Sequence, residues 1–196
     1  MITDTLRPDL MSMELAELTE YLTREFSLPR FRAKQVFEWL TRGRGFDEMT
    51  NLPKDLRERL KNETFCSLVE IEEKYVSKID GTVKYLFKLH DGSFIESVVM
   101  GYNHGNTICI SSEVGCNMGC KFCASTIGGL VRNLKPSEML DQIYAITRLT
   151  GERVSNVVVM GTGEPMDNYD NLLRFLKLLT DENGEIVLTD FPDEEK

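Results

Sequence analysis

No apolar stretch in this 196-residue chain reaches the roughly 18 residues that a membrane-spanning helix needs. The opening MITDTLRPDLMSMEL also lacks the basic-then-apolar layout of a secretory signal. Both absences predict a cytoplasmic protein with no membrane association. In that compartment a disulfide framework is not expected, so the five cysteines point to metal binding or catalysis. Excess positive charge is missing too. The formal net charge is −9, which argues against a protein that meets nucleic acid over its whole surface. No internal repeat is present. What remains, 41% hydrophobic and 28% charged, suits a globular protein with one medium domain, or a small domain plus part of a larger one.

The charge is unevenly spread. Residues 24–61 hold ten Lys/Arg against six Asp/Glu, while residues 1–23 hold one against five and residues 181–196 one against seven. From charge alone, the basic stretch reads as a solvated helical surface.

Hydrophobic spacing divides the chain into three styles. Leu15, Leu18 and Leu22 predict a helix over 13–26 with Ser12 as its cap. Ala33, Phe37 and Leu40 predict a second over 30–42, stopped by Gly43 and Gly45, and Pro53 opens a third that runs to about Asn62. Residues 1–62 therefore read as a small helical domain. Alternation then takes over: Val83, Tyr85, Phe87 and Leu89 face one way, and Asp80-Gly81 and Asp91-Gly92 mark turns. Residues 63–111 are expected to form an antiparallel meander, with strands over 68–78, 82–90, 93–101 and 106–111. From 112 onward, a cysteine-rich loop, a helix over 136–150, a Val157–Met160 strand buried on both faces, a Gly-rich turn and a helix over 169–180 follow the βα grammar, with the site at the strand C-termini. The fold class is α/β.

The run GCNMGCKFC places Cys116, Cys120 and Cys123 within eight residues. Zinc sites usually use cysteine pairs two apart and four ligands. Here no fourth ligand lies at a standard spacing. Three thiolates can hold three irons of a four-iron–four-sulfur cluster and leave the fourth iron open to a chelating amino acid such as S-adenosylmethionine. Gly115 and Gly119 let the backbone bend around such a group, and Phe122 can shield one side. A zinc site completed by Cys66, Cys109, His90 or His104, and a purely electron-carrying cluster, remain alternatives. The turn GTGEP (161–165) follows the valine strand, where ligands collect in βα folds. Alone it is an ordinary tight turn; beside the cysteine loop it can share a pocket.

Cys-x3-Cys-x-aromatic-Cys resembles the motif of the radical S-adenosylmethionine (SAM) superfamily. The longer stretches SSEVGCNMGCKFCAST, RNLKPSEMLDQI and NVVVMGTGEPMDNYDNLLRFLK resemble the RlmN group of RNA methyltransferases, and LPRFRAKQVFEWL and FDEMTNLPKDLRERL resemble that group's helical accessory domain. The resemblance covers roughly residues 15–183. It implies the opening units of a radical SAM partial (β/α)6 barrel over 112–196. It also implies methylation at C2 of an adenine in 23S rRNA, and in some members tRNA, using a 4Fe-4S cluster, S-adenosyl-L-methionine and an electron donor such as flavodoxin or ferredoxin. By the same resemblance, Cys116, Cys120 and Cys123 are cluster ligands and Gly163 and Glu164 contact S-adenosylmethionine. Glu96 in FIESVVM matches the proton acceptor, and Cys109 the thiol that resolves the protein–RNA adduct through a disulfide. On the residues alone, Glu96 reads as an exposed strand position and Cys109 as a buried structural thiol.

The likeness ends near Gly184, and no cysteine here matches the family's methyl-carrying one, since all five stand at or before 123. With about 30 or more residues per βαβ unit, 106–196 has room for two or three units. The expectation is a truncated chain that cannot complete methyl transfer alone. A non-catalytic, metal-containing RNA-binding module and a Cfr-type adenine C8 methyltransferase are the competing readings.

Overall fold

The computed structural model describes residues 7–103 and 105–181. His104 and the acidic tail beyond Asp181 lie outside them. Helices α1 (Leu15–Phe26), α2 (Arg30–Leu40) and α3 (Lys54–Glu63) form the N-terminal part. Leu18, Leu22 and Phe26 of α1 are buried together with Ala33, Val36, Phe37 and Leu40 of α2. Ser12 does not cap α1. It closes a short 3-10 turn over Leu10–Ser12, and Glu14 holds the N-cap position, its own N–H donating to Glu17 Oε2 at 3.0 Å. Pro53 stands immediately before α3, as its preset φ favours.

Strands β1 (Glu70–Val76), β2 (Val83–Lys88), β3 (Phe94–Tyr102) and β4 (Gly105–Cys109) form the antiparallel meander. β4 also pairs in parallel with β7 (Val154–Val158), so one sheet in the order β1-β2-β3-β4-β7 runs from the meander into the βα segment. The sheet is mostly antiparallel and the fold is α/β. Val157–Val159 are only half-buried and Met160 is exposed, so this run is not buried on both faces as its composition suggested. Among the described residues, β7 pairs with β4 alone.

Two short strands were not anticipated. β5 (Glu113–Gly115) and β6 (Leu130–Asn133) form a separate antiparallel pair whose connection carries the three cysteines. Helix α4 (Pro136–Thr150) then crosses to β7, with Gly151 in a left-handed conformation at its end. Its residues Pro136–Ile146 are buried all round, including Ser137, Glu138, Asp141 and Gln142. Each of these polar groups finds a partner in another segment. Ser137 bonds Asp9 and Ser12, Glu138 bonds Arg132, Asp141 accepts from Val69 N–H, and Gln142 bonds Ser97 and Ser111. Buried polar groups are tolerated on such terms, and they fix which face meets which element. Helix α5 (Tyr169–Leu179) completes the described chain. No helix among the described residues is long and apolar enough to cross a membrane.

Candidate functional site

The cysteine loop spans the gap between β5 and β6. Gly115 starts it at φ 75°, and the carbonyl of Gly129 stands where a Cβ at 115 would have to go. Cys116 N–H donates to that same carbonyl at 3.2 Å, and Leu130 N–H donates to Asn117 Oδ1 at 3.0 Å. Cys116 is buried, Cys123 half-buried and Cys120 exposed, and all five cysteines are free thiols. Cys123 N–H donates to Cys120 O at 3.0 Å, which folds the second half of the loop into a turn. Hydrogen bonds from the Ser125 side chain and backbone hold the Cys123 thiol below its usual range, toward the thiolate that binds metals. Met118 N–H lies 3.5 Å from Cys116 Sγ. Phe122 is 94% exposed and shields nothing. Among the described residues, no three His, Cys, Asp or Glu side chains are already gathered in a metal-coordinating group.

The loop is anchored from behind by Arg132 on β6. Its guanidinium donates two bonds to Glu138, both 2.8 Å, and one to Asp91 at 2.7 Å. Glu138 also accepts Lys135 N–H at 2.8 Å and faces His90 Nδ1 at 3.6 Å. His90 is thus engaged by α4. Cys66 is half-buried against the core, and desolvation first, then the charges of Asp141 and Asp9, push its thiol well up.

The GTGEP turn lies directly on residues 110–113. Gly161 N–H donates to Ile110 O at 2.9 Å, and Thr162 O accepts both Ser112 N–H and Glu113 N–H, at 3.0 and 3.2 Å. Thr162 N–H donates to Ser111 Oγ, and Glu164 N–H to Glu113 Oε2, each at 2.9 Å. Gly161 and Gly163 are required by contact: a Cβ on either would come within 2.8 Å of Ser111 or Glu113 atoms. Gly163 also has φ 108°. The structure therefore brings Gly163 and Glu164 onto the strand that leads into Cys116. Glu164 Oε1 accepts Met166 N–H at 3.1 Å, which orients its carboxylate.

Glu96 lies on β3, its side chain 48% exposed and paired with Lys84 Nζ at 2.9 Å. Its carbonyl accepts Ser111 Oγ–H at 2.7 Å, so one hydroxyl links it to the turn. Cys109 sits in register with Val98 and Val158, half-buried rather than sealed in the core. Burial pushes its thiol up, opposed by Met160 N–H. Sequence reading passed over Glu113. It is 1% exposed, and its Oε1 is buried with no hydrogen-bond partner. Nothing local in the sequence marks it, because its significance lies in the contact with Glu164.

Residues 8–66 match the ribosomal RNA large subunit methyltransferase N-terminal domain, and residues 110–192 match the radical SAM superfamily. The chain joins an RlmN-type N-terminal domain to a radical SAM domain. It is 56% identical over 178 residues to a probable dual-specificity RNA methyltransferase RlmN of Lachnoclostridium phytofermentans, covering 90% of this chain and 50% of that relative. It is 55% identical over 177 residues to the corresponding protein of Alkaliphilus oremlandii, covering 90% and 51%. The chain thus spans about half the length of the curated relatives it matches. A crystal structure of a radical SAM methyltransferase from Sphaerobacter thermophilus superposes with a TM-score of 0.82 at 40% identity, over 90% of this chain and 53% of that one.

Proposed function

We propose that this RlmN-type chain carries the RNA-facing helices and the cluster-binding and cofactor-binding portion of a cytoplasmic radical SAM methyltransferase that modifies C2 of an adenine in 23S rRNA and tRNA. The observation that carries this reading is the cysteine loop on its β5–β6 support, with the GTGEP turn hydrogen-bonded onto the same strand.

The residues fit a 4Fe-4S cluster and S-adenosylmethionine by three local features. Three thiols within eight residues form a soft donor set suited to iron–sulfur ligation. Gly115 and Gly163, both at positive φ, let the loop and the turn pack tightly against Gly129 and Glu113 and so shape the two segments. A buried, unpartnered Glu113 oxygen lies where the turn meets the loop. In this reading, Cys116, Cys120 and Cys123 hold the cluster, which when bound supplies the electron for reductive cleavage of S-adenosylmethionine. A flavodoxin or ferredoxin is the proposed source of that electron.

The remaining roles belong to the protein's own side chains. Gly163 admits the cofactor close to the backbone, and Glu164 accepts hydrogen bonds from its polar groups. Glu96 serves as the proton acceptor, with Lys84 holding Oε1 so that Oε2 takes the proton. Cys109 serves as the resolving thiol; its half-buried position slows adventitious oxidation. On α2, the exposed Arg30, Phe31 and Lys34 offer charge and a ring to an RNA backbone and base.

Anaerobic reconstitution tests the reading. The expected result is about four iron and four sulfide per chain, with a spectrum that changes on adding S-adenosylmethionine. Cys116→Ser, Cys120→Ser and Cys123→Ser should each lose the iron. One zinc per chain without iron would favour an RNA-binding module instead and overturn the enzyme reading.

A further inference from the structure

We propose that Glu113 is a positioning residue whose carboxylate holds the Gly161–Pro165 turn in the shape that binds S-adenosylmethionine. The cofactor role rests on the reading given above; the clamp itself does not.

Glu113 lies on β5, three residues before Cys116, and is 1% exposed. It touches the turn in two places. Its Oε2 accepts Glu164 N–H at 2.9 Å. Its aliphatic stem underlies Gly163 so closely that a Cβ there would come to 2.6 Å from Glu113 Cβ and 2.8 Å from Cγ. Thr162 is tied down separately by the backbone N–H groups of Ser112 and Glu113 and by Ser111 Oγ. The Glu113 side chain therefore meets both residues 163 and 164, the two proposed to meet the cofactor, and accepts the Glu164 N–H.

The energetics point the same way. Glu113 Oε1 is buried without a partner, and an unpaired buried oxygen on a carboxylate costs stability. Burial, opposed by the Glu164 N–H but reinforced by the nearby Asp167 and Glu164 charges, pushes this carboxyl above its ordinary range. An apolar residue would suit a buried strand better. Local rules are broken in this way where a site needs a particular shape, and here the one satisfied oxygen orders the ligand turn.

Glu113→Gln and Glu113→Ala in the full chain separate shape from stability. Glutamine keeps a carbonyl oxygen for Glu164 N–H and removes the charge, whereas alanine removes the acceptor. With iron and sulfide matched to wild type, equilibrium dialysis should give a Kd for S-adenosylmethionine within about twofold of wild type for Glu113→Gln. For Glu113→Ala it should be about tenfold weaker, as the loss of one hydrogen bond predicts. In hydrogen–deuterium exchange on the unloaded chain, the Glu164 amide should stay protected in wild type and Glu113→Gln and exchange faster in Glu113→Ala. Equal affinity in all three proteins, an equally weakened Glu113→Gln, or an unchanged Glu164 amide in Glu113→Ala would each overturn the proposal. So would the unfolding of both variants, which would make Glu113 a stability residue. A wild-type chain that holds a full cluster yet binds no S-adenosylmethionine would overturn the cofactor reading instead, and the exchange experiment would still decide the clamp.

Discussion

Replacing Arg132 with methionine keeps an unbranched side chain of similar length and removes the guanidinium behind the cysteine loop. Two contributions are lost. Glu138 is fully buried and receives both 2.8 Å bonds from Arg132, so the substitution strands its carboxylate. Breaking a buried pair from one side costs about 3–5 kcal/mol. Lys135 N–H remains on Oε2 at 2.8 Å, which sets the expected loss at the lower end, about 3 kcal/mol. Asp91 has a side chain 33% exposed, and its pair adds no more than about 1 kcal/mol. A total of about 3–4 kcal/mol is a large part of the about 5–15 kcal/mol that holds a domain together. Guanidinium titration followed by far-UV circular dichroism reads it.

Acid adds a second signature. Burial alone would raise the Asp91 carboxyl, but Arg132 and the Ser93 N–H outweigh it and hold the group well below its ordinary 3.8. A carboxyl depressed in the folded state stabilises above its ordinary value, and that stability disappears as pH falls through the folded one. Wild type should therefore weaken on acidification below about pH 4, and Arg132→Met should lack that component. A variant within about 1 kcal/mol of wild type, with an unchanged acid limb, would refute the reasoning.

Asp141 supplies the opposite slope. Burial pushes its carboxyl up to about 6, against the pull of Arg148 and the Val69 N–H. The folded state then binds the proton better, so stability is greatest below the ordinary 3.8 and declines as pH rises toward about 6. Asp141→Asn should flatten that decline in denaturation midpoints, and parallel curves would count against it. Gly115→Ala should cost about 2–4 kcal/mol, through its positive φ and the Gly129 carbonyl in its way, and should lower iron uptake on reconstitution. A loss under about 1 kcal/mol would show that the hairpin yields freely.

Where local chemistry decides, the fold was readable from residues. Pro136 and Gly151 bracket α4 because a fixed φ and a left-handed end are properties of those residues wherever they stand. Ser12 misled because Glu14 and Glu17 supplied a second, equally local solution two residues on. The valine run of β7 reads as doubly buried from composition, but burial depends on which strands flank it. β5 and β6 were illegible because strands of three and four residues on either side of a long loop carry no periodicity. Of the candidate site, the cysteine spacing and GTGEP stand out in the sequence because they depart from any core pattern. Glu113 does not, since its meaning lies in the contact with Glu164, 51 residues away. The polar face of α4 was hidden for the same reason: Glu138, Asp141 and Gln142 look like a solvated stripe until their partners are known.

Ser111 has one proton to give and gives it to the Glu96 carbonyl, so its oxygen is left to receive Thr162 N–H. The candidate base and the glycine-rich turn are thereby strung on a single atom. A displacement of the turn at Thr162 would therefore reach the backbone at Glu96 through that one oxygen, by a route that bypasses the strand-to-strand ladder.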